Sequence, residues 1–334
     1  MQKRFEGQEE EILDPDLPII DAHHHLFDRP PATYLLADYL ADAGLGHRIV
    51  SSVYVETLAF ARTRGPEVLR PLGEVEFANG VAATAATDRY GDVRVADAIV
   101  GYADLTMGAA IGELLDRSIA AAPDRFRGVR QLTMDYHDAA LRKYFTNPPE
   151  QGLLGHPRFR TGFAEIGVRG LSFDVAAFHY QLGDIAQLAD AFPETALVLN
   201  HMGMALGIER DEAGRAEVFR EWRAALTDLA QRPNVTCKVG GLGLLFWGFG
   251  LHEREDVIGS RELAALWRPY VETAVEAFGA ERCMMESNYP VDGRSCGFVP
   301  LWNALKLITA GASAGERTAL FSGTAARVYR IAAP

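Results

Sequence analysis

The chain has 334 residues, 48% of them hydrophobic and 23% charged, which provides for a large core and excludes intrinsic disorder. Its 33 Lys and Arg against 45 Asp and Glu leave a formal charge of −12, which argues against binding nucleic acid or anionic membranes. A pocket can still carry local arginines, so the expected partner is a small molecule, an anionic one included. Cys237, Cys283 and Cys296 are odd in number and lack metal-type CxxC spacing, so a disulfide scaffold is not expected. Residues 1–16 form a polar, Glu-rich extension, and no apolar run reaches membrane-spanning length. The expectation is a cytoplasmic protein forming one domain over residues 1–334, with homo-oligomers left open.

Short apolar, β-branched runs predict strands at 19–24, 50–56, 98–103, 127–132, 171–175, 197–201, 235–239 and 283–287. Helical patterns fall between them at 108–122, 182–191, 219–231, 262–278 and 299–310, with a broken helix or helix pair over 314–329. Strand alternating with helix eight times predicts an α/β fold, the (β/α)8 TIM barrel. A doubly wound sheet is the alternative, but no Gly-rich phosphate fingerprint follows an early strand. The segments 57–97 and 240–261 are read as long loops over the mouth of the barrel.

Reactive groups of such a barrel gather at the C-terminal strand ends. The first strand runs into Asp21-Ala22-His23-His24-His25, where simple alternation puts Asp21, His23 and His25 on one face and His24 on the other. The second offers Tyr54 and Glu56 on a shared face, the fourth Arg130, the fifth Asp174, and the sixth His201. The seventh contains Lys238, and the eighth runs through Glu286-Ser287-Asn288-Tyr289-Pro290 to Asp292. Singly, such residues read as loop anchors; together they point to one reactive mouth. His179 and Trp247 are candidates for its rim, while His47, His137, His156 and His252 read as loop or surface histidines. Arg127 reads as pairing behind the barrel.

These motifs carry a resemblance. Asp21-Ala22-His23-His24-His25, Gly128-Val129-Arg130, Asn200-His201-Met202-Gly203 and Ser287-Asn288-Tyr289-Pro290 together resemble the amidohydrolase superfamily. The branch is that of the amidohydrolase-related TIM-barrel hydrolases, which includes 2-pyrone-4,6-dicarboxylate lactonase and sugar-acid lactonases. The resemblance implies hydrolysis of a lactone, ester or similar carbonyl compound. It also implies His23, His25 and His201 as ligands of one divalent metal, with zinc suited to imidazole, or as direct holders of the substrate carbonyl in a metal-free site. Arg130 would clamp a substrate carboxylate. Tyr54, His179 and Trp247 join it as expected substrate contacts.

The eighth strand departs from the family. Its Asp, the usual metal ligand or base, is here Asn288, and an amide takes up no proton at neutral pH. Glu56 is the first candidate to replace it and Asp292 the second. Glu286 sits deeper and is expected to pair with Lys238 as a structural ion pair. A non-hydrolytic decarboxylase, lyase or lactone isomerase is therefore the alternative activity. A barrel that binds a ligand without turnover is the third reading.

Overall fold

The protein is described by a computed structural model covering residues 10–136, 139–145 and 148–333. Eight strands lie side by side in chain order: β1 (Ile19–His24), β2 (Ile49–Val55), β3 (Arg94–Tyr102), β4 (Phe126–Leu132), β5 (Ser172–Ala176), β6 (Leu197–Leu199), β7 (Val235–Val239) and β8 (Cys283–Met285). Every neighbouring pair is parallel. Beyond β8 the chain comes back to β1. There His24 bridges Tyr289, the Asn288 amide donates to His23 O at 2.9 Å, and the His25 amide donates to Tyr289 O at 2.8 Å. The sheet is thus a nearly closed (β/α)8 barrel, and its unreversed strand order excludes the doubly wound alternative.

Helices separate the strands: α1 (Leu36–Ala43), α2 (Leu72–Ala85), α3 (Ile111–Ala121), α4 (Pro157–Val168), α5 (Leu182–Ala191), α6 (Glu212–Leu229) and α7 (Ser260–Phe278). After β8 come α8 (Phe298–Ile308), α9 (Ala314–Thr318) and α10 (Thr324–Tyr329). Segment 57–97 is therefore not a long loop, because α2 occupies its centre. Alanine and glycine dominate α2, so it lacks the apolar stripe that marks a helix in sequence. By contrast α6 starts well before residue 219, where Asp211 caps it by accepting from the Gly214 amide at 2.8 Å. Segment 240–261 does remain a loop as far as residue 259, broken by two short 3-10 turns, and α7 takes its last two residues.

The strands are apolar on both faces because both are covered. Ile20, Ala22, Val53, Val55, Ala98, Val100, Val198 and Met284 form an inner cluster with Ala325, Ala326 and Tyr329 of α10. Residues of opposite parity, such as Ile19, Tyr54, Phe173 and Leu199, pack into the helix layer. The C-terminal segment closes the N-terminal end of the barrel. Tyr329 O accepts from Arg127 Nε at 2.9 Å and Ala332 O from Arg94 Nη2 at 3.2 Å, both arginines standing at strand starts. The opposite end is left for chemistry.

Candidate active site

A bulge in β1 decides which of its side chains face inward. Asp21 pairs with Ser52 but His24 with Tyr54, so three steps on β1 match two on β2. The extra residue breaks the alternation that sequence parity assumes. Ala22 lies in the inner cluster, and His23 also turns inward. Asp21 consequently faces out, contrary to the shared face expected for it. It accepts from Tyr39 Oη (3.1 Å), Ser287 Oγ (2.6 Å) and the Ser287 amide (2.8 Å). Burial pushes its carboxyl up to about 6. His24 also faces out, stacked on Tyr39 with ring centroids 4.2 Å apart.

Inside the barrel a buried polar layer forms around His23. Its Nε2 lies 3.1 Å from His25 Nε2 and 3.2 Å from Arg130 Nη1. Its Nδ1 lies 3.0 Å from Glu286 Oε2 and 3.5 Å from Lys238 Nζ. The ring of His201 stands 4.8 Å from that of His23, centroid to centroid, and His201 Nδ1 is 2.6 Å from Glu286 Oε1. Residues far apart in sequence, 23, 25, 130 and 201, therefore meet in one cluster. Burial first, and then Lys238 for His23 and Arg130 for His25, hold both imidazoles well below the usual histidine value. Neutral imidazoles keep a lone pair for a ligand.

Each cation of this cluster has its own carboxylate. Arg130 donates from Nε to Glu56 Oε1 and from Nη2 to Glu56 O, both at 2.8 Å. Lys238 pairs with Asp174 at 2.7 Å, not with Glu286 as the sequence suggests. Asp174 also accepts from Tyr329 Oη at 3.0 Å and Asn200 Nδ2 at 2.9 Å. The deep pair Asp174–Lys238 and the bridging role of Glu286 are not evident in the sequence. Their signal was a charge at each of three apolar strand ends.

His201 reaches the cluster through a strained turn. β6 stops at Leu199, and His201 (φ 51°), Met202 (φ 54°) and Gly203 (φ 60°) follow in the left-handed region. Such backbone costs a non-glycine residue about 1–3 kcal/mol and gathers at functional sites. The loop after β7 passes close by: a Cβ on Gly241 (φ +63°) would stand 2.3 Å from His201 Nδ1. Only glycine lets the backbone and the imidazole share that space.

Asn288 and Asp292 stand where β8 ends. Asn288 (φ 52°) donates from Nδ2 to Asp292 Oδ1 at 2.7 Å, and the Gly243 amide donates to Asp292 Oδ2 at 2.8 Å. Burial pushes the Asp292 carboxyl up to about 8, against the pull of those two hydrogen bonds. Glu56 is also raised by burial, with Arg130 pulling the other way. Glu56 follows the last residue of β2, so it escapes strand parity and turns to Arg130.

Three expected contacts lie elsewhere. Tyr54 faces the helix layer, where its hydroxyl donates to Glu74 Oε1 at 3.0 Å, because Val53 and Val55 take the inner face. His179 Nδ1 accepts from the Leu206 amide at 3.2 Å and its Nε2 lies 3.5 Å from Glu221, so it braces the loop after β6. Trp247 is buried among Trp222, Phe249 and Tyr270, with Nε1 donating to Gly241 O at 2.9 Å. His47 is tied to Lys306 and Val299 O, and His252 lies beside Glu253 on its own turn. His156 precedes α4 as its N-cap residue, and His137 lies outside the described residues.

The cluster suits a divalent cation. His23, His201 and Glu286 offer ligand atoms within 4.8 Å of one another. Glu286 Oε2 is buried without a hydrogen-bond partner, His23 Nδ1 standing near it at an unsuitable angle. His25 Nδ1 faces Val55 O at 2.8 Å, and a carbonyl only accepts, so that nitrogen carries the proton and Nε2 is bare toward His23. Glu286 accepts from His201 Nδ1 at 2.6 Å, and a carboxylate behind a ligating imidazole is the usual support of an imidazole metal site.

Comparison with known proteins agrees with this architecture. Residues 20–331 match the family model described as amidohydrolase. The protein y4mH of Sinorhizobium fredii is 36% identical over 338 residues, covering 95% of this chain and 99% of that one. The L-fucono-1,5-lactonase of Burkholderia multivorans is 28% identical, covering 94% and 97%. A crystal structure of a Burkholderia multivorans amidohydrolase with bound zinc superposes with a TM-score of 0.69 at 24% identity, covering 94% of this chain and 99% of that one. No helix among the described residues is long and apolar enough to cross a membrane. The chain is a hydrolase, and it belongs to the amidohydrolase family.

Proposed function

We propose that the protein opens a small lactone, or cleaves a comparable carboxylic ester, at the C-terminal mouth of its barrel. The observation that carries this is the convergence of His23, His25 and His201 beside Glu286, which holds His201 by its Nδ1. The name of the Burkholderia relative, an L-fucono-1,5-lactonase, supports a cyclic ester as the substrate class.

His23, His25 and His201 would hold a divalent cation, zinc by the preference of imidazole, whose chemistry when bound is to polarise a carbonyl and to acidify water. Glu286 accepts from His201 Nδ1 and so fixes the tautomer that leaves Nε2 bare. Asp292 is the better placed base. Its carboxyl is raised and faces Asn288, whereas Glu56 is committed to Arg130. Asp292 takes the proton of the attacking water at a carboxylate oxygen, and Asn288 orients that carboxylate. The proton then goes to the ring oxygen as the acyl–oxygen bond breaks.

Lactone ring opening followed by proton release in weakly buffered solution tests this reading. The wild type should turn over, and His25→Ala and His201→Ala should lose turnover while keeping the wild-type circular dichroism. Undiminished activity in both variants contradicts it. Asn288 motivates a second reading, a non-hydrolytic lyase or isomerase. Asn288→Asp separates the two: a native hydrolase keeps or gains hydrolysis, whereas a lyase gains it only in the variant.

A further inference from the structure

The charges of the buried cluster bear on what the site admits. Its two cations are each occupied: Lys238 by Asp174 at 2.7 Å, and Arg130 by Glu56 through both Nε and Nη2 at 2.8 Å. The remaining Arg130 nitrogen, Nη1, stands 3.2 Å from His23 Nε2. Two of the three guanidinium nitrogens are thus held by Glu56, and the third faces an imidazole. Arg29, the other arginine whose charge reaches Glu56, is tied to Thr57 O.

From this we propose that Glu56 is a specificity-determining residue: it holds Arg130 and so restricts the site to substrates that bring no carboxylate to it. The proposal rests on the lactonase reading and narrows its substrate class to uncharged, hydroxyl-bearing lactones. In sequence Arg130 reads as a carboxylate clamp; in the fold the clamp is already closed on Glu56. A substrate carboxylate would have to displace Glu56 from Arg130 and leave a buried anion without its partner. An uncharged ring meets no such obstacle. The Arg130 bond uses Oε1 of Glu56, and Oε2 makes no hydrogen bond among the described residues, so it can accept from a substrate hydroxyl.

The test compares two lactones that differ at one carbon, galactono-1,4-lactone (CH2OH) and galactaro-1,4-lactone (carboxylate), with the full-length enzyme purified in zinc-containing buffer. The wild type should favour the uncharged lactone by 100-fold or more in kcat/KM. In Glu56→Gln, which keeps the shape but loses the charge, that ratio should fall below tenfold, chiefly through a lower KM for the carboxylated lactone. A variant ratio equal to that of the wild type overturns the proposal. So does a wild type that prefers the carboxylated lactone, and this comparison needs no variant to fold. If neither lactone turns over, the lactonase reading fails separately. Calorimetric titration of the same pair then decides the selectivity, where equal or tighter binding of the carboxylated lactone, or heat from neither, overturns the inference.

Discussion

The Nε2 atoms of His23 and His25 face each other across 3.1 Å, and the proton of His25 is engaged on the other side of its ring by Val55 O. Two neutral imidazoles so disposed can share a proton or hold a cation between them. With ligand bonds of about 2.0–2.1 Å, two nitrogens on one zinc ion stand at much this separation. A cation that binds the folded chain and not the unfolded one stabilises it by mass action. Zinc should therefore raise the thermal midpoint of chelator-treated protein by several degrees, and His25→Ala should abolish the rise. Calorimetric melting with and without added zinc measures both.

Glu286 orients His201 by accepting from its Nδ1 at 2.6 Å. Glu286→Gln keeps the shape but cannot accept from His201 Nδ1 with both of its terminal atoms. Loss of such a supporting carboxylate costs about 10–100-fold in metal affinity or activity. The variant should therefore release zinc in dialysis against a competitor that leaves the wild type loaded, and its kcat should fall by a similar factor.

Asp292 makes stability depend on pH in a defined direction. Its folded value, about 8, lies above the ordinary value of 3.8, so the folded state holds the proton more tightly than the unfolded chain. That contribution is complete below about pH 4 and is lost as pH rises toward about 8. Urea midpoints of chelator-treated protein should thus include a falling component between pH 5 and 8.5 that Asp292→Asn removes. The same substitution should lower kcat by about 100-fold or more, the usual cost of a lost general base.

The Asp174–Lys238 pair is buried to 0% exposure on both sides. Removing one partner of such a pair costs about 3–5 kcal/mol, because the other charge is stranded. Lys238→Met should destabilise the fold by that amount, and adding Asp174→Asn should recover much of it. Urea denaturation of the two single variants and the double variant measures the coupling.

Much of this molecule is written at the level of strands. The first strand, at 19–24, and the seventh, at 235–239, have the bounds the sequence predicts, although Asp21, His23, His24 and Lys238 interrupt their apolar runs. The helix α2 was hidden because its alanines leave no stripe, and β6 ends early because His201 enters a left-handed turn that no propensity announces. Side-chain direction was the harder question. The bulge in β1 turns Asp21 outward, and the end of β2 frees Glu56 while Tyr54 stays on the helix side. Parity arguments fail at such places since one extra residue reverses every later side chain. The histidine triplet was conspicuous in sequence; the carboxylate beneath it was not, for pairing between Glu286, His201 and His23 exists only once the barrel closes.

Steady-state hydrolysis of an uncharged aldonolactone by zinc-loaded wild type and by His201→Ala bears most directly on the imidazole cluster as the hydrolytic centre. The expected result is ring opening by the wild type and a loss of at least about 1,000-fold in the variant at unchanged circular dichroism, as befits a residue of the reacting centre. Equal rates in the two proteins would contradict the account.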